Sequence, residues 1–312
     1  PNDQKNQTKD KAVIELKPSK IMVYPMSQHI GAPCEPTVQK GDRVLMGQVI
    51  GLSSAFVSAP VHSTVSGTVI AVEPRLHPNG TKVISVVVEN DFLDEKVDTI
   101  KEYTDIDTLT KDEKLTLVKE AGIVGHGGAA FPTFIKLSPP ADKKIDCCIV
   151  NGAECEPYLT SDYRVMLEKP KLVFEGLKQI MSILGVEKAF IGIENNKPEA
   201  IKIMTEVAKE YNGVSVCALK TKYPQGSEKH LIKAITGREV PSGKLPADVG
   251  VVVNNIDSCV VVYKAIKRRS PAFFRIITVA GDAVDEPCNL KVRIGTSFKD
   301  VLDAARYNAE KA

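Results

Sequence analysis

The sequence predicts an α/β protein, with a mostly parallel sheet between a small all-β domain and a β-hairpin-plus-helix unit. Three observations predict it. From Cys147 onward, short apolar runs alternate with amphipathic helical patterns, and crossovers of that length join parallel strands. Before Asp91 the pattern is one of short strands broken by Gly and Pro turns. After Arg269, two strand-like runs precede a capped helical segment. A length of 312 residues suggests two or three domains, and 43% hydrophobic content is enough for proper cores.

Composition excludes several classes. A net charge of +2, with 5% aromatic residues and no Trp, leaves no nucleic-acid footprint. No run approaches the roughly eighteen apolar residues that span a bilayer. The richest, Val249 to Ala265, is broken by Asn254, Asn255, Asp257 and Ser258. The polar start, PNDQKNQTKDK, reads as a trimmed tail without a signal-peptide pattern. Seven cysteines form no C-x-x-C pair, so zinc-ribbon and cluster-ligand spacings are absent from these residues. Their scatter suits reduced thiols in a cytosol-facing protein, packed as small hydrophobes.

Residues 1–19 carry many charges and few apolar residues before Val13-Ile14, which reads as an extended N-terminal arm. The β domain takes residues 20–92. Ile21-Met22-Val23 is a strand, VQKGDRVLMGQVIG carries turns at Lys40-Gly41-Asp42 and Met46-Gly47-Gln48, and SAPVHSTVSGTVIAVE places Ser66-Gly67 as the matching turn. The two passages read as a weak internal duplication. Lys82 to Val88 is a Val/Ile-rich strand. His29 and His62 fall here without partners at ligand spacing and read as turn or surface histidines. Residues 93–106 are acidic and aperiodic, a linker, after which Asp107 or Thr108 can cap a helix over Lys111 to Ala121.

The stretch that organises the chain follows: GIVGHGGAAFPTFIKL, Gly122 to Leu137. Gly125, Gly127 and Gly128 let the backbone approach a ligand, and Lys136 adds a full positive charge. A glycine cluster is equally the mark of a turn. It is not a Walker A loop, and the helical pattern before it does not fit the dinucleotide fingerprint, which needs a strand there. The residues suit a phosphate-bearing ring cofactor, with Phe131 flanking something flat.

The α/β domain, residues 107–268, continues with a buried strand at Cys147 to Val150, ending at Asn151-Gly152-Ala153-Glu154-Cys155-Glu156. Ligands of α/β folds collect at carboxyl ends of strands, so this amide and its two carboxylates are site candidates, although a polar turn with capping acids would look the same. Then come a helix over Lys171 to Leu184 ended by Gly185, a strand over Ala189 to Ile193, and a helix over Glu199 to Tyr211 behind Pro198. A strand over Val214 to Leu219 leads to Tyr223-Pro224-Gln225-Gly226-Ser227-Glu228, where a helix to Ile235 starts, ended by Gly237. The strand Val249 to Val253 ends at Asn254-Asn255, an amide pair able to bond a ring or a ribose or simply to cap the helix over Ser258 to Ile266. Residues 269–312 give strands in FRIITVAGDAV and at Leu290 to Ile294, then a helix capped by Ser297.

Four motifs in order, GHGGAAFPTFIK, VNGAECEP, YPQGSEKHLIKAITG and VVVNN, resemble the flavin-binding chain of complex I-type NADH dehydrogenases. QHIGAP at the front, NGAECEPYLTSDYR in the middle and the β-grasp-like segment at the back make the chain more similar to the RnfC family of the Rnf electron-transport complex, over about residues 20 to 305. The resemblance implies a barrel-sandwich hybrid (biotinyl/lipoyl-like) domain first, a Rossmann-like FMN/NADH domain next, and the start of a soluble-ligand-binding β-grasp (SLBB) domain last. Leu52 to Ser58, where carrier versions of the first fold present a Lys, contains none, so acyl or carboxyl carriage is not expected.

Carried over by motif, Gly125, Gly127 and Lys136 would hold the FMN phosphate side, and Asn151, Glu154, Tyr223, Asn254 and Asn255 would line the rest of the flavin site. Phe131 would stack the nicotinamide or adenine, and Glu156 and Glu228 would bond the NADH. No protein group is implied as catalytic, since the cofactor does the chemistry. This sequence departs from the family at His126 for Arg, Ala130 for Gly, Ala153 for an acid and Ser227 for one Glu of a pair. The family's two [4Fe–4S] motifs, expected further on, have no ligand pattern within these residues. The implied function is that of a peripheral NADH/FMN subunit of an ion-translocating ferredoxin:NAD⁺ oxidoreductase, on the cytoplasmic face of the membrane. Its partners would be the other subunits and an electron-carrying iron–sulfur subunit, with no nucleic acid. The alternatives are a cobalamin reductase-type flavoprotein and a non-catalytic docking subunit.

Overall fold

The structure is a computed structural model and describes residues 3–311. In chain order come β1 (Val13–Glu15), β2 (Ile21–Pro25), β3 (Glu35–Pro36), β4 (Arg43–Val44), β5 (Val49–Leu52), β6 (Val61–His62), β7 (Gly67–Leu76) and β8 (Lys82–Asn90). Helices α1 (Lys111–Glu120) and α2 (Thr133–Lys136) flank the glycine loop. The alternating region runs β9 (Cys147–Gly152), α3 (Ser161–Glu168), α4 (Pro170–Leu184), β10 (Ala189–Glu194), α5 (Pro198–Ala208), β11 (Val214–Leu219), α6 (Glu228–Thr236), β12 (Val251–Asn255) and α7 (Ile256–Arg268). Strands β13 (Phe274–Val279) and β14 (Cys288–Arg293) and helix α8 (Phe298–Ala304) follow.

The chain divides into two compact units. The first holds the stretch ending at Ala12, Leu109–Leu115 and Phe134–Tyr263; the second holds Val13–Thr108, Thr116–Thr133 and the chain from Lys264 on.

The first unit is the expected parallel sheet, in the order β11-β10-β9-β12. Its central strands read as continuous apolar runs because both faces are covered: Cys148, Ile149, Val150, Ile191 and Ile193 are wholly buried. Helix α4 shows how the sequence sets the packing. Val173, Phe174, Leu177, Ile180 and Ile183 recur at helical spacing and are all fully buried, each contributing roughly 1.5–3 kcal/mol. Pro170 starts the helix and Gly185, left-handed at φ 68°, ends it. Gly176 lets α4 approach α7 closely, since a Cβ there would lie 1.8 Å from the Cys259 carbonyl oxygen. Helix α3 has no counterpart in the sequence reading; eight residues with Asp162, Arg164 and Glu168 interspersed hide its buried stripe of Tyr163, Val165 and Met166.

The reading of residues 1–19 as an extended arm needs revision. Lys5–Gln7 form a 3₁₀ turn, and the Lys5 side chain is buried, its Nζ donating to the Glu156 carbonyl at 2.8 Å and to the Leu159 carbonyl. Thr8 and Thr160 share a buried hydroxyl–hydroxyl bond of 2.7 Å. A buried ammonium is tolerable only when its donors are met in this way. Further along, β1 pairs in parallel with β14 and joins a three-stranded sheet ordered β1-β14-β13.

Besides the β1-β14-β13 sheet, the second unit contains two small sheets, β2-β8-β7-β4 and β3-β5-β6, around Met22, Tyr24, Val44, Ile50, Val65, Val69, Val86 and Val88. Ser66-Gly67 is not the turn the duplication suggested: Gly67 opens β7, opposite both Val44 and Asn90. A Cβ at Gly67 would stand 2.1 Å from the Glu89 carbonyl oxygen, so this glycine serves a close backbone approach. The Leu52 to Ser58 passage joins β5 to β6 and leaves Phe56 at the surface.

The linker is fastened down. Asp94 takes a two-pronged bond from Arg293, at 2.6 and 2.7 Å, and Arg293 also donates to the Thr64 carbonyl at 2.8 Å. That guanidinium holds the Asp94 carboxyl below the usual range. The cap of α1 is Thr110 rather than Asp107 or Thr108. Its backbone N–H donates to the Glu113 carboxylate at 2.7 Å while its hydroxyl accepts from the Glu113 N–H, which is a capping box. In the last sheet the reading holds: Ser297 accepts the Asp300 N–H and starts α8.

Candidate functional site

Within the first unit, four segments meet at the carboxyl edge of the parallel sheet. Helix α2 presents Lys136, whose Nζ donates to the Val253 carbonyl at 2.9 Å and lies 3.8 Å from the Glu228 carboxylate. Glu228 opens α6, where a carboxylate complements the helix dipole. Asn151 sits in register with Asn255 of the neighbouring strand. Its Nδ2 donates to the Gly226 carbonyl at 2.8 Å, and its Oδ1 accepts the Ala153 N–H at 3.2 Å. The Gly226 N–H in turn donates to Cys155 Sγ at 3.2 Å. Two turns far apart in sequence are thereby fixed edge to edge. A Cβ at Gly226 would lie 3.1 Å from that sulfur, so glycine keeps the turns close.

The two adjacent amides do different work, because successive strand residues face opposite ways. Asn254 is buried, its Nδ2 3.9 Å from Cys148 Sγ. Asn255 donates to the Asp162 carboxylate at 2.6 Å and accepts the Asp257 N–H at 2.8 Å, so it also starts α7. The capping role and the site position coexist at one residue.

Glu154 stands in the left-handed region at φ 46°, and Tyr158 at φ 67°. The Glu154 Oε1 accepts the Asp162 N–H at 2.7 Å, while Oε2 is buried without a hydrogen-bond partner. Burial pushes this carboxyl up to about 7 against the opposing pull of Lys5 and Lys197. Lys197 is itself buried; its ammonium donates to the Ala153 carbonyl at 2.6 Å and lies 3.5 Å from Glu194. Glu156 and Tyr223 are exposed at the same edge, Tyr223 at 67%. Lys136, Asn151, Glu154, Glu156, Tyr223, Glu228, Asn254 and Asn255 therefore lie in the segments at the carboxyl edge of the sheet, with Asn254 and Asn255 facing opposite ways.

Three further residues of this edge escape sequence reasoning. Asp162 orients Asn255, Lys197 neutralises the Glu154 turn, and Gln225 is 2% exposed with an Oε1 that lacks a partner. Gln225 lies inside the YPQGSEK motif, which is its only signal; Asp162 and Lys197 act through contacts distant in sequence. The cysteines are free thiols, and burial pushes Cys147 up to about 11 and Cys148 to about 12, consistent with packing rather than chemistry.

The glycine loop belongs to the second unit. The Gly125 N–H donates to the Phe131 carbonyl at 2.9 Å, and Val124 and Pro132 form an antiparallel bridge, so the loop is a closed hairpin. Gly127 and Gly128 are exposed at its tip, with Gly128 at φ 132°, and Phe131 is half-buried. Ala130, where the resembled family has Gly, adopts φ 48°. The backbone keeps the glycine-type conformation that the side chain disfavours.

The first unit's edge fits a flavin on two of its own observations. Gln225 Oε1 and Glu154 Oε2 are buried acceptors lacking donors, and a ring N–H or ribityl hydroxyl supplies donors. Lys136 is the matching cation for a phosphate. A parallel sheet with this edge, in a chain that also carries a β sandwich, belongs to the class of FMN-binding α/β chains. The family model described as the Nuo51 FMN-binding domain matches residues 118–264, and that described as the RnfC barrel sandwich hybrid domain matches residues 1–93.

Among relatives, the chain is 51% identical over 304 residues to the C component of the proton-translocating ferredoxin:NAD(+) oxidoreductase complex of Clostridium ljungdahlii, covering 97% of this chain and 66% of that one. It is 49% identical to the C component of the Na(+)-translocating ferredoxin:NAD(+) oxidoreductase complex of Acetobacterium woodii, covering 92% and 65%. It is 36% identical to the C component of the ion-translocating oxidoreductase complex of Vibrio cholerae, covering 100% and 40%. The chain belongs to the RnfC family of ion-translocating oxidoreductase complexes. It spans about two thirds or less of these relatives' own lengths. A solved NAD⁺-reducing [NiFe]-hydrogenase in the air-oxidized state shares the fold, at TM-score 0.56 and 24% identity over 65% of this chain and 42% of that one.

Proposed function

We propose that this chain is the NADH- and FMN-binding module of a membrane-associated, ion-translocating ferredoxin:NAD⁺ oxidoreductase. It is a peripheral subunit on the cytoplasmic face, held by the other subunits; among the described residues no helix is long and apolar enough to cross a membrane. The observation that carries the reading is the carboxyl edge, where Lys136, Asn151, Gln225 and Glu228 collect beside buried acceptors lacking donors. When bound, FMN would supply the exchange between two-electron chemistry with NAD(H) and single-electron chemistry with iron–sulfur centres of the complex.

In this reading Lys136 holds the phosphate. Asn151, Glu154, Tyr223, Asn254 and Asn255 line the ring and ribityl chain, while Glu156 and Glu228 receive the dinucleotide. No side chain acts as nucleophile. The domain limits follow the same reading: a barrel-sandwich hybrid over 20–92, a linker over 93–106, the FMN/NADH domain over 107–268, and the start of an SLBB domain from 269. Quenching of FMN fluorescence by the purified chain tests the assignment. Saturable quenching at one FMN per chain is expected; its absence in a folded preparation overturns it.

A further inference from the structure

Glu154 and Glu156, which the proposed function sets against the flavin and the dinucleotide, share one short turn that ends at Leu159. Its backbone is not a relaxed one. Glu154 at φ 46° and Tyr158 at φ 67° both stand in the left-handed region, which residues other than glycine enter at a cost. Such conformations persist only where the surroundings over-determine them. Two buried lysines from distant parts of the chain do so here. Lys197, just before α5, donates to the Ala153 carbonyl at 2.6 Å and lies 3.5 Å from the Glu154 carbonyl, so it holds the near end of the turn. Lys5 holds the far end, donating to the Glu156 carbonyl at 2.8 Å and to the Leu159 carbonyl.

Lys5 does not act alone. It belongs to a segment, Asp3 to Lys9, that is bonded along the turn and into α3. The Tyr158 N–H donates to the Asp3 carbonyl at 2.9 Å, the Thr8 and Thr160 hydroxyls share their bond, and Arg164 donates to the Lys9 carbonyl at 3.0 Å. The segment is moored in turn. Asn196 Nδ2 donates to one Asp3 carboxylate oxygen at 3.0 Å, and the Lys5 N–H donates to the other at 3.3 Å. All of these residues lie in the first unit. Lys5 is 5% exposed, so the two carbonyls stand where water would otherwise solvate its ammonium. The Glu156 side chain, by contrast, is exposed. What is fixed is the backbone that aims it, which is how a site is preorganised for a ligand that has yet to arrive.

We propose that Lys5 is a positioning residue for dinucleotide binding: by tying the Glu156 and Leu159 carbonyls to the Asp3–Lys9 segment, it sets the direction in which Glu156 leaves the sheet edge. The inference rests on the flavin reading of that edge. It separates the two lysines by role, Lys197 serving the Glu154 half of the turn, which lines the flavin, and Lys5 the Glu156 half, which meets NADH.

The test is anaerobic stopped-flow reduction of the FMN-loaded chain by NADH. The parent is compared with Lys5→Met, Lys5→Arg and Asp3→Ala, each checked for folding by circular dichroism. For Lys5→Met, the NADH concentration giving half the limiting rate is expected to rise about tenfold, the worth of one charge-assisted hydrogen bond. Its limiting rate and FMN affinity are expected to stay within about twofold of the parent, as when binding alone is lost. Lys5→Arg, which keeps a cation with several donors, is expected to recover most of the NADH affinity. Should Lys5→Met fail to fold, Asp3→Ala decides: a rise of about threefold is expected from the loosened segment, and the parent value overturns the proposal. An unchanged half-saturation in folded Lys5→Met overturns it. So does FMN affinity falling as far as NADH affinity, since Lys5 would then serve the fold as a whole. A parent chain that binds no FMN sinks the flavin reading and this inference with it; a parent that is reduced by NADH while the variants match it sinks this inference alone.

Discussion

Lys136 and Glu228 face each other across 3.8 Å, the amine reaching from a one-turn helix and the carboxylate from the first turn of α6. The pair is too exposed, at 28% and 42%, to add much to stability. Its meaning is positional: the Val253 carbonyl holds the amine at the end of β12, where the proposed function sets the FMN phosphate.

Lys136→Ala is therefore expected to weaken FMN binding by roughly 10- to 100-fold, the worth of one charge-assisted hydrogen bond, while leaving the melting temperature within about a degree or two. Fluorescence titration measures the first and calorimetry the second. Unchanged affinity would remove Lys136 from the phosphate site.

Glu154 predicts a pH dependence. Its carboxyl is raised from 4.5 to about 7 in the folded chain, so between those values the native state keeps a proton that the unfolded state releases. The group therefore favours folding fully below pH 4.5, and that contribution fades as pH rises through 7. Its ceiling is about 3 kcal/mol, from about 1.4 kcal/mol per pKa unit, the pull of Lys5 and Lys197 being already included in the shift. Glu154→Gln should flatten the stability profile between pH 5 and about 7 in urea melts. An identical slope in both proteins would contradict the assignment.

Ala130 pays for its left-handed backbone. Ala130→Gly should stabilise the chain by about 1 kcal/mol. A destabilised Ala130→Gly in denaturant titration would show that φ is not positive there in solution.

The Arg293–Asp94 pair ties the linker to β14. Asp94→Ala leaves a buried guanidinium with the Thr64 carbonyl but no counter-charge. Because Asp94 is 42% exposed, the expected cost is about 2 kcal/mol, below the ~3–5 for a wholly buried pair. A change under half a kilocalorie would mean that water replaces the carboxylate.

Much of the architecture was legible because local rules and tertiary packing agree there. Val214–Leu219 appears as the strand expected, Gly185 and Gly237 end their helices in the left-handed region, and Ser297 caps α8. The failures share a cause. Lys5 looked like part of a charged tail because its burial depends on carbonyls some 150 residues away. Val13–Glu15 is too short to declare itself without β14, and Gly67 resembles a turn until Glu89 is placed beside it. At the candidate site, strand-end logic located the edge, but the Asp162–Asn255 bond spans 93 positions and left no local trace. His62 reads as a surface residue because nothing in VHST signals the Glu120 backbone above it.

The central claim is that one chain holds a flavin where NADH can reach it. The most direct measurement is the visible spectrum of the FMN-loaded chain, taken anaerobically before and after addition of NADH. The account predicts loss of the oxidised flavin band on addition, with NADH consumed in equal amount. A band that persists in flavin-loaded, folded protein would contradict it.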